Sequence, residues 1–180
     1  TLIVDKTGTL THGKPEVTEI IALTDSEADL IQIAASIEAH SQHPLAHALL
    51  AAAEQRKLAL DEVNDIQSEA GLGIRAKIAD VSYQIGRPDW IDLLREQDQA
   101  QVERMSQTGQ TVIAVANDQQ LIGLIGLKDT PLPAAKAAVQ SLQAAGITVV
   151  MMTGDNLATA NAIANTLGIT HFFAQTSPKD

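Results

Sequence analysis

Apolar residues recur at two different spacings along this chain, and the spacing changes between its ends and its middle. At the ends, short apolar runs at residues 2–4 and 147–152 predict buried strands, and helical spacing predicts helices over residues 132–145 and 157–167. A glycine follows each predicted helix, as is typical of a helix end. Strands that alternate with helices are typical of a parallel sheet, so we predict an α/β fold for these segments.

The middle of the chain has a different pattern, in which two helices are followed by several short strands. Ser26, Asp25 and Pro44 suit the first turns of these helices. The strand-like runs are short, and Asn117-Asp118 is a candidate hairpin turn between the last two of them. The predicted elements are a strand over residues 17–21, helices over residues 26–39 and 44–56, and strands over residues 73–78, 81–85, 112–116 and 121–127.

This change of pattern predicts a domain inserted into another domain rather than two domains in tandem. We predict that residues 1–14 and 127–180 form one discontinuous domain and that residues 15–126 form the insert. The chain has 180 residues, which is enough for two small domains.

Charge and composition exclude several classes of protein. The chain has 12 basic and 22 acidic residues and a net charge of −10, which argues against broad binding to nucleic acid or to anionic lipid. It has no cysteine, so it has neither a disulfide framework nor a thiolate metal site. It also has no apolar run of about 18 residues. We therefore expect this chain to be soluble. We also expect it to be monomeric.

A carboxylate stands where the first predicted strand ends. Residues 5–11 read DKTGTLT, and Asp5 comes directly after the apolar residues 2–4. Parallel sheets place ligands at the carboxyl ends of their strands, and a carboxylate can carry a phosphoryl group as an aspartyl-phosphate. Asp5 is therefore a candidate nucleophile for phosphoryl transfer, and the alternative is a chance aspartate at a strand end.

A second polar loop follows the other predicted parallel strand. Thr153, Gly154 and Asp155 come after the strand over residues 147–152 and before the helix over residues 157–167. A helix N-terminus favours anions, and hydroxyl and backbone donors stabilise the charge that develops in phosphoryl transfer. Alone, such a loop is often only a tight turn.

Together and in this order, the two motifs resemble the phosphorylation and Thr-Gly-Asp signatures of P-type ATPases, which belong to the haloacid-dehalogenase-like hydrolases. The resemblance implies that ATP phosphorylates Asp5 and that Mg²⁺ contacts the Asp5 carboxylate and the Thr7 carbonyl. It also implies that Thr153 and Gly154 bind the transferred group, with Asp155 beside the Mg²⁺ site. The related phosphatases usually have a second aspartate at the position of Thr7, which serves as general acid and base. Its absence predicts a slowly hydrolysed phosphoenzyme.

The same resemblance implies a fold. It is a haloacid-dehalogenase-like Rossmannoid parallel sheet, the phosphorylation domain, with an inserted α+β nucleotide-binding domain built on an antiparallel sheet. Residues 129–132, DTPL, resemble the hinge motif of the family, with Leu132 in place of the usual basic residue.

A histidine in the insert narrows the family. Residues 41–45 read SQHPL, which resembles the Ser-x-His-Pro-Leu segment of heavy-metal P-type ATPases, and Glu38 stands just upstream. In that family the histidine packs on adenine and the glutamate lies at the same pocket. The resemblance therefore implies an ATP site at His43 and Glu38. The alternative is that His43, which precedes a proline, only marks a helix boundary.

Glycines further along the insert imply the same pocket. Gly71 and Gly73 resemble the Gly-x-Gly of these pumps, in which backbone without a Cβ can approach a nucleotide. Gly86 resembles the first residue of their Gly-Asn pair, but Arg87 stands in place of the asparagine. The guanidinium either contacts phosphate or is a solvated charge.

The resemblance as a whole implies the cytoplasmic ATP-binding and phosphorylation region of a membrane-embedded heavy-metal pump. Residues 13–18 slightly favour copper over zinc or cadmium as the transported cation. The family continues to a Pro-x-x-Lys lysine that contacts phosphate, and residues 177–180 reach only its third position. We therefore expect a piece of a longer protein that is nearly inactive alone. The alternatives are a soluble haloacid-dehalogenase-type phosphatase or phosphotransferase, and a module that only binds nucleotide.

Overall fold

The computed structural model describes residues 1–24, 26–41 and 43–176, and the chain divides into two compact units. Unit 1 contains Thr1–Pro15, Glu103–Thr111 and Lys128–Asp180, and unit 2 contains Glu16–Val102 and Val112–Leu127. The sequence pattern placed residues 103–111 in the insert, whereas they pack with unit 1. That unit 1 is the phosphorylation domain and unit 2 the nucleotide-binding domain stays a prediction.

The described residues form helices and strands that are numbered here in chain order. The helices are α1 (Glu27–Glu38), α2 (Pro44–Gln55), α3 (Glu96–Gln107), α4 (Ala135–Ala144) and α5 (Leu157–Leu167). The strands are β1 (Leu2–Asp5), β2 (Glu16–Ala22), β3 (Val63–Glu69), β4 (Gly73–Ile78), β5 (Val81–Gly86), β6 (Thr111–Asn117), β7 (Leu121–Lys128), β8 (Val149–Met152) and β9 (His171–Phe173). None of these helices has the length and apolar content that a membrane span requires.

Unit 1 is built on a parallel sheet, which confirms the predicted fold class. Its strand order is β1-β8-β9, and Asp5 pairs in register with Met152. Helices α4 and α5 pack their apolar residues with β8 in one core. Asn156 caps α5 by accepting a hydrogen bond from the Thr159 amide at 2.9 Å. Gly168 ends the helix with a φ of 76°.

Unit 2 is built on a six-stranded sheet in the order β2-β7-β6-β5-β4-β3, in which β3, β4, β5 and β6 pair antiparallel. Helices α1 and α2 pack on this sheet and bury a core that includes Ile37, Ile74 and Ile85. A capping box begins α1, because the Asp29 amide donates to Ser26 Oγ at 3.1 Å and the Ser26 amide donates to the Asp29 carboxylate. The other candidate cap, Asp25, lies outside the described residues.

Three elements had no prediction from the pattern. β3 exposes most of its residues, so it lacks the alternation that reveals a half-buried strand. α3 is strongly polar, and among its residues Met105 is fully buried. β9 has only three residues. Each element is specified by its contacts with neighbouring elements more than by a periodic pattern of its own.

Candidate functional site

Asp5 is the last residue of β1, at the carboxyl end of the parallel sheet. The chain then makes one wide turn over Lys6–Leu10, which is closed by a hydrogen bond from the Thr11 amide to the Lys6 carbonyl at 3.1 Å. Gly8 has a φ of 75° within this turn, which a side chain would oppose. Asp5 is exposed, and its carboxylate has no ion-pair or hydrogen-bond partner among the residues that the structure describes. It is therefore open to a ligand.

The second predicted loop meets the first one. Asp5 lies opposite Met152, so Thr153 begins the next loop at the same edge of the sheet. Lys6 and Asp155 join the two loops through an ion pair in which Nζ lies 2.5 Å from Oδ2. Two segments from opposite ends of the chain thus meet at one edge of the sheet.

Thr153 is held inside its loop. Its amide donates to the Phe173 carbonyl at 3.0 Å, and its carbonyl accepts hydrogen bonds from the amide and the hydroxyl of Thr176. Its Oγ1 accepts from the Asp155 amide at 3.2 Å. The side chain is therefore fixed, with its hydroxyl at the amino end of the loop that leads into α5. Among residues 1–24, 26–41 and 43–176, only the Thr176 carbonyl lies near the position of an added Cβ on Gly154, at 3.7 Å.

The oxygens around Asp5 suit a magnesium ion that is shared with phosphate. Carboxylate and carbonyl oxygens such as those of Asp5 and Thr7 are hard ligands, and Mg²⁺ commonly binds one or two carboxylates together with phosphate oxygens and waters. Across residues 1–24, 26–41 and 43–176, no three histidine or acidic side chains come together as a metal cage. An ion bound to the Asp5 and Thr7 oxygens would take its remaining ligands from phosphate and water.

In unit 2, Glu38, Ser41 and His43 form one hydrogen-bonded chain at the end of α1 and the start of α2. The Ser41 hydroxyl bonds to the Glu38 carboxyl, and Ser41 Oγ accepts from the His43 amide at 3.2 Å. His43 caps α2, because its Nδ1 accepts from the Leu45 amide at 3.2 Å. Because Nδ1 accepts this hydrogen bond, a neutral ring would have its N–H donor at Nε2.

Glu38 is a buried acid whose carboxyl group is only partly hydrogen-bonded. The residue is 9% exposed, and its Oε2 has no hydrogen-bond partner among the described residues. Burial raises the pKa of Glu38, and the hydrogen bond from Ser41 and the nearby His43 oppose that shift only in part. A polar atom that lacks a partner inside the protein is available to a ligand donor.

We expect Glu38→Gln to stabilise the chain at pH 7 by about 1 kcal/mol, because the amide avoids the cost of a buried charge. The pKa of Glu38 is raised above its ordinary value of 4.5, so the folded state favours the protonated carboxyl. Glu38 therefore costs nothing well below pH 4.5, its cost grows as the pH rises from 4.5 towards its raised pKa, and the cost is constant above that pKa. Urea unfolding from acid to neutral pH should show the advantage of the variant growing with pH.

The matched control for this prediction is Glu54→Gln, which changes an exposed glutamate of α2. We expect its unfolding free energy to follow that of the wild type at every pH. If Glu38→Gln were instead less stable than the wild type at neutral pH, the charged carboxylate would be a net stabiliser of the fold.

The glycines of unit 2 differ in what surrounds them. Gly73 and Gly86 pair in register on β4 and β5, and an added Cβ on Gly73 would lie 2.2 Å from the Ile85 carbonyl oxygen and 2.6 Å from the Trp90 ring. The space at Gly73 is thus filled by the chain itself. An added Cβ on Gly71 would meet no atom of a described residue within 4 Å. Of the three predicted glycines in unit 2, Gly71 is the one beside which the backbone is open to the described residues.

Arg87 has a local partner. Its guanidinium makes a bidentate ion pair with Asp89, with Nε to Oδ1 at 2.9 Å and Nη2 to Oδ2 at 2.6 Å. The pair is exposed and raises the pKa of Arg87 while lowering that of Asp89. Of the two alternatives for Arg87, this geometry favours the solvated charge at a strand end.

The structure shows contacts among Lys6, Thr11 and Asp129 at the loop after β1. The sequence patterns did not predict these contacts. The Thr11 hydroxyl lies 2.5 Å from Asp129 Oδ2 and 3.0 Å from the Lys6 carbonyl, and Asp129 is 9% exposed. One available signal was the lysine itself, a charged residue among small residues directly after a buried strand. The predicted Pro-x-x-Lys segment at residues 177–180 lies outside the described residues.

Comparison with known proteins finds similarity along almost the whole chain. A model of the haloacid dehalogenase-like hydrolases matches residues 1–178. The chain is 37% identical over 179 residues to the copper-exporting P-type ATPase B of Archaeoglobus fulgidus, a match that covers 99% of this chain and 26% of that protein. The chain thus spans about a quarter of the length of this curated relative.

The chain is also similar to solved structures over almost its whole length. A zinc-transporting PIB-type ATPase in its E2.Pi state superposes with a TM-score of 0.75 at 35% identity, over 99% of this chain and 29% of that one. The catalytic domain of the CPx-ATPase CopB-B superposes with a TM-score of 0.72 at 27% identity, over 99% of this chain and 63% of that one.

Proposed function

We propose a function from the family to which the chain belongs, the haloacid dehalogenase-like hydrolases. The chain is homologous to the catalytic region of heavy-metal P-type ATPases. In the proposed reaction ATP phosphorylates Asp5, and the aspartyl-phosphate drives cation transport by a longer protein. The observation that carries this proposal is an open Asp5 carboxylate at the end of β1, beside the loop of Thr153 and Asp155.

The proposed transfer is an in-line displacement. A carboxylate oxygen of Asp5 bonds to the γ-phosphorus of ATP, the bond to the β,γ-bridging oxygen breaks, and ADP leaves with that electron pair. Magnesium, when bound, neutralises charge on the phosphate oxygens. The Thr153 hydroxyl and the Gly154 backbone steady the transferred group. Thr7 cannot act as a carboxylate base, so water attacks the acyl phosphate slowly.

Unit 2 supplies the proposed nucleotide site. The His43 ring offers a flat surface for adenine and a donor at Nε2, and the buried Glu38 carboxyl offers a hydrogen-bonding partner in the same chain of contacts. The open backbone at Gly71 allows close approach of the nucleotide. We propose weak binding by this chain alone, with a Kd of about 0.1 to 1 mM.

The transported cation belongs to the proposal as well. The Archaeoglobus relative is a copper-exporting ATPase, whereas one similar structure is a zinc-transporting ATPase. We propose a heavy-metal cation and favour copper over zinc or cadmium. We further propose that this region works on the cytoplasmic face of a membrane, as part of a membrane-embedded pump.

An ATP titration that follows amide shifts residue by residue tests the proposed nucleotide site. We expect shifts at His43, Gly71 and their neighbours, and about a tenfold weaker Kd for His43→Asn because the stacking ring is lost. Asparagine is the matched change, since its side chain keeps a cap acceptor at the start of α2. His43→Ala loses both the cap and the ring, and we expect it also to lower the stability of the chain by about 1 kcal/mol.

The outcomes of this titration separate the alternatives. Equal ATP affinity in the wild type and in His43→Asn would mean that His43 is only a helix cap. Shifts confined to Asp5 and Thr153, together with steady hydrolysis of a small phosphate ester, would favour a soluble phosphatase.

A further inference from the structure

The carboxylate of Asp155 is already engaged by a protein cation. Its Oδ2 lies 2.5 Å from Lys6 Nζ, an ion pair that does not have hydrogen-bond geometry in the described part of the chain, and the two side chains are 19% and 7% exposed. Removing one partner from a pair this buried leaves an uncompensated charge, which is costly. A magnesium ion at Asp155 would have to compete with the ammonium group for the same oxygen.

Lys6 is fixed at its backbone as well as at its side chain. Its carbonyl accepts a hydrogen bond from the Thr11 amide at 3.1 Å, and the Thr11 hydroxyl lies 3.0 Å away from the same oxygen. Lys6 also follows Asp5 directly, at the point where the chain leaves β1. Restraint of both ends of Lys6 therefore restrains the direction in which the Asp5 side chain leaves the strand.

We propose that Asp155 acts through Lys6 as a positioning residue for Asp5 and is not itself a ligand of magnesium. This inference rests on the proposed phosphorylation of Asp5. It departs from the expectation that Asp155 lies beside the metal, and it gives Lys6 a role that the sequence motif did not assign. The ion pair ties the loop after β1 to the loop after β8, so that the nucleophile and the phosphate-binding donors keep a fixed separation.

Magnesium alone is the first probe, followed through the amide shifts of Asp5 and Thr7. The deciding variant is the double substitution Lys6→Met with Asp155→Asn, because it removes both charges and keeps the net charge of the wild type. We expect its half-saturating magnesium concentration to rise less than about tenfold, because Asp5 loses some of its restraint while magnesium loses no ligand. A rise of about tenfold or more would mean that magnesium has lost the Asp155 carboxylate as a ligand and would overturn the inference.

Beryllium fluoride, a stable mimic of the phosphoryl group, is the second probe, followed by fluorine NMR at saturating magnesium. We expect about tenfold weaker binding in Lys6→Met and in Asp155→Asn, and no further loss in the double variant, because the two residues act as one unit. Lys6→Arg should recover part of the affinity. Unchanged binding in every variant would mean that the ion pair does not position Asp5.

The wild-type chain separates failure of this inference from failure of the proposed function. If neither magnesium nor beryllium fluoride perturbs Asp5 in the wild type, this chain alone has no phosphoryl site at Asp5, and the proposed function fails for this chain. If both do and the variants depart from the expected pattern, only the positioning role is wrong. Thermal unfolding of each variant accompanies the titrations, and if a single variant fails to fold, the double variant carries the test because it leaves no unpaired charge.

Discussion

The Asp5→Asn variant takes up no covalent phosphate from ATP, and this is the largest loss that we expect from any substitution. An amide cannot form the acyl phosphate, because the nucleophilic carboxylate oxygen is gone. The fold should survive, since Asp5 is exposed and has no side-chain partner among the described residues. We expect the free energy of unfolding to change by no more than about 0.5 kcal/mol.

The measurement compares radiolabelled ATP uptake in the wild type and the variant, counted before and after treatment with hydroxylamine, which cleaves acyl phosphates. We expect weak labelling from this chain alone, so the ratio of the two proteins matters more than the yield. Asp92→Asn, an exposed aspartate of unit 2, is the matched control and should label like the wild type. Label that persists in Asp5→Asn would place the phosphorylated residue elsewhere.

The Gly73→Ala variant loses about 3 kcal/mol or more of unfolding free energy, because its methyl group has no space. The added carbon would lie 2.2 Å from the Ile85 carbonyl oxygen and 2.8 Å from the Gly86 Cα, both of which are backbone atoms. Backbone cannot give way as the end of a flexible side chain can, so β4 and β5 must separate. Trp90 is the single tryptophan and packs against this position, so its fluorescence reports the transition directly.

Gly71→Ala provides the comparison, because it adds the same methyl group two residues earlier in open space. Its φ of 76° makes alanine unfavourable there, at a cost of about 1 kcal/mol. Urea unfolding should therefore rank the wild type, Gly71→Ala and Gly73→Ala in decreasing stability. Equal losses at the two positions would mean that the close approach of the two strands is absent in solution.

Interactions between residues that are close in sequence explain why much of the fold and of the candidate site can be predicted from the sequence. Glu38, Ser41 and His43 lie within six residues of one another, so a short motif contains both the contacts and the helix boundary that orients them. The strand ends that carry Asp5 and Thr153 follow from apolar runs and from the rule that parallel strands share one functional edge.

Contacts between distant residues explain what the sequence does not reveal. The partner of Lys6 is Asp155, almost the whole chain away, and no periodicity links the two positions. The packing around Gly73 depends on Trp90, which a Gly-x-Gly pattern cannot reveal. Helix α3 is too polar for its apolar spacing to show, and part of it joins a unit other than the one in which it begins. In each case tertiary contacts determine the structure, and local sequence propensity gives no information about it.

Residues 103–111 belong to unit 1 although they lie within the sequence of unit 2, and this affects how unit 2 can be expressed separately. If the insert is expressed as one uninterrupted piece, it contains this segment but lacks the segment's partners. In the whole chain, the Gln110 carbonyl accepts a hydrogen bond from the Thr159 hydroxyl, and Gly109 packs near Ile163. Without these partners, the segment exposes surface that is buried in the whole chain, and this exposure favours aggregation. A better excision replaces it with a short glycine-serine linker, because a flexible loop of similar length adds little closure entropy.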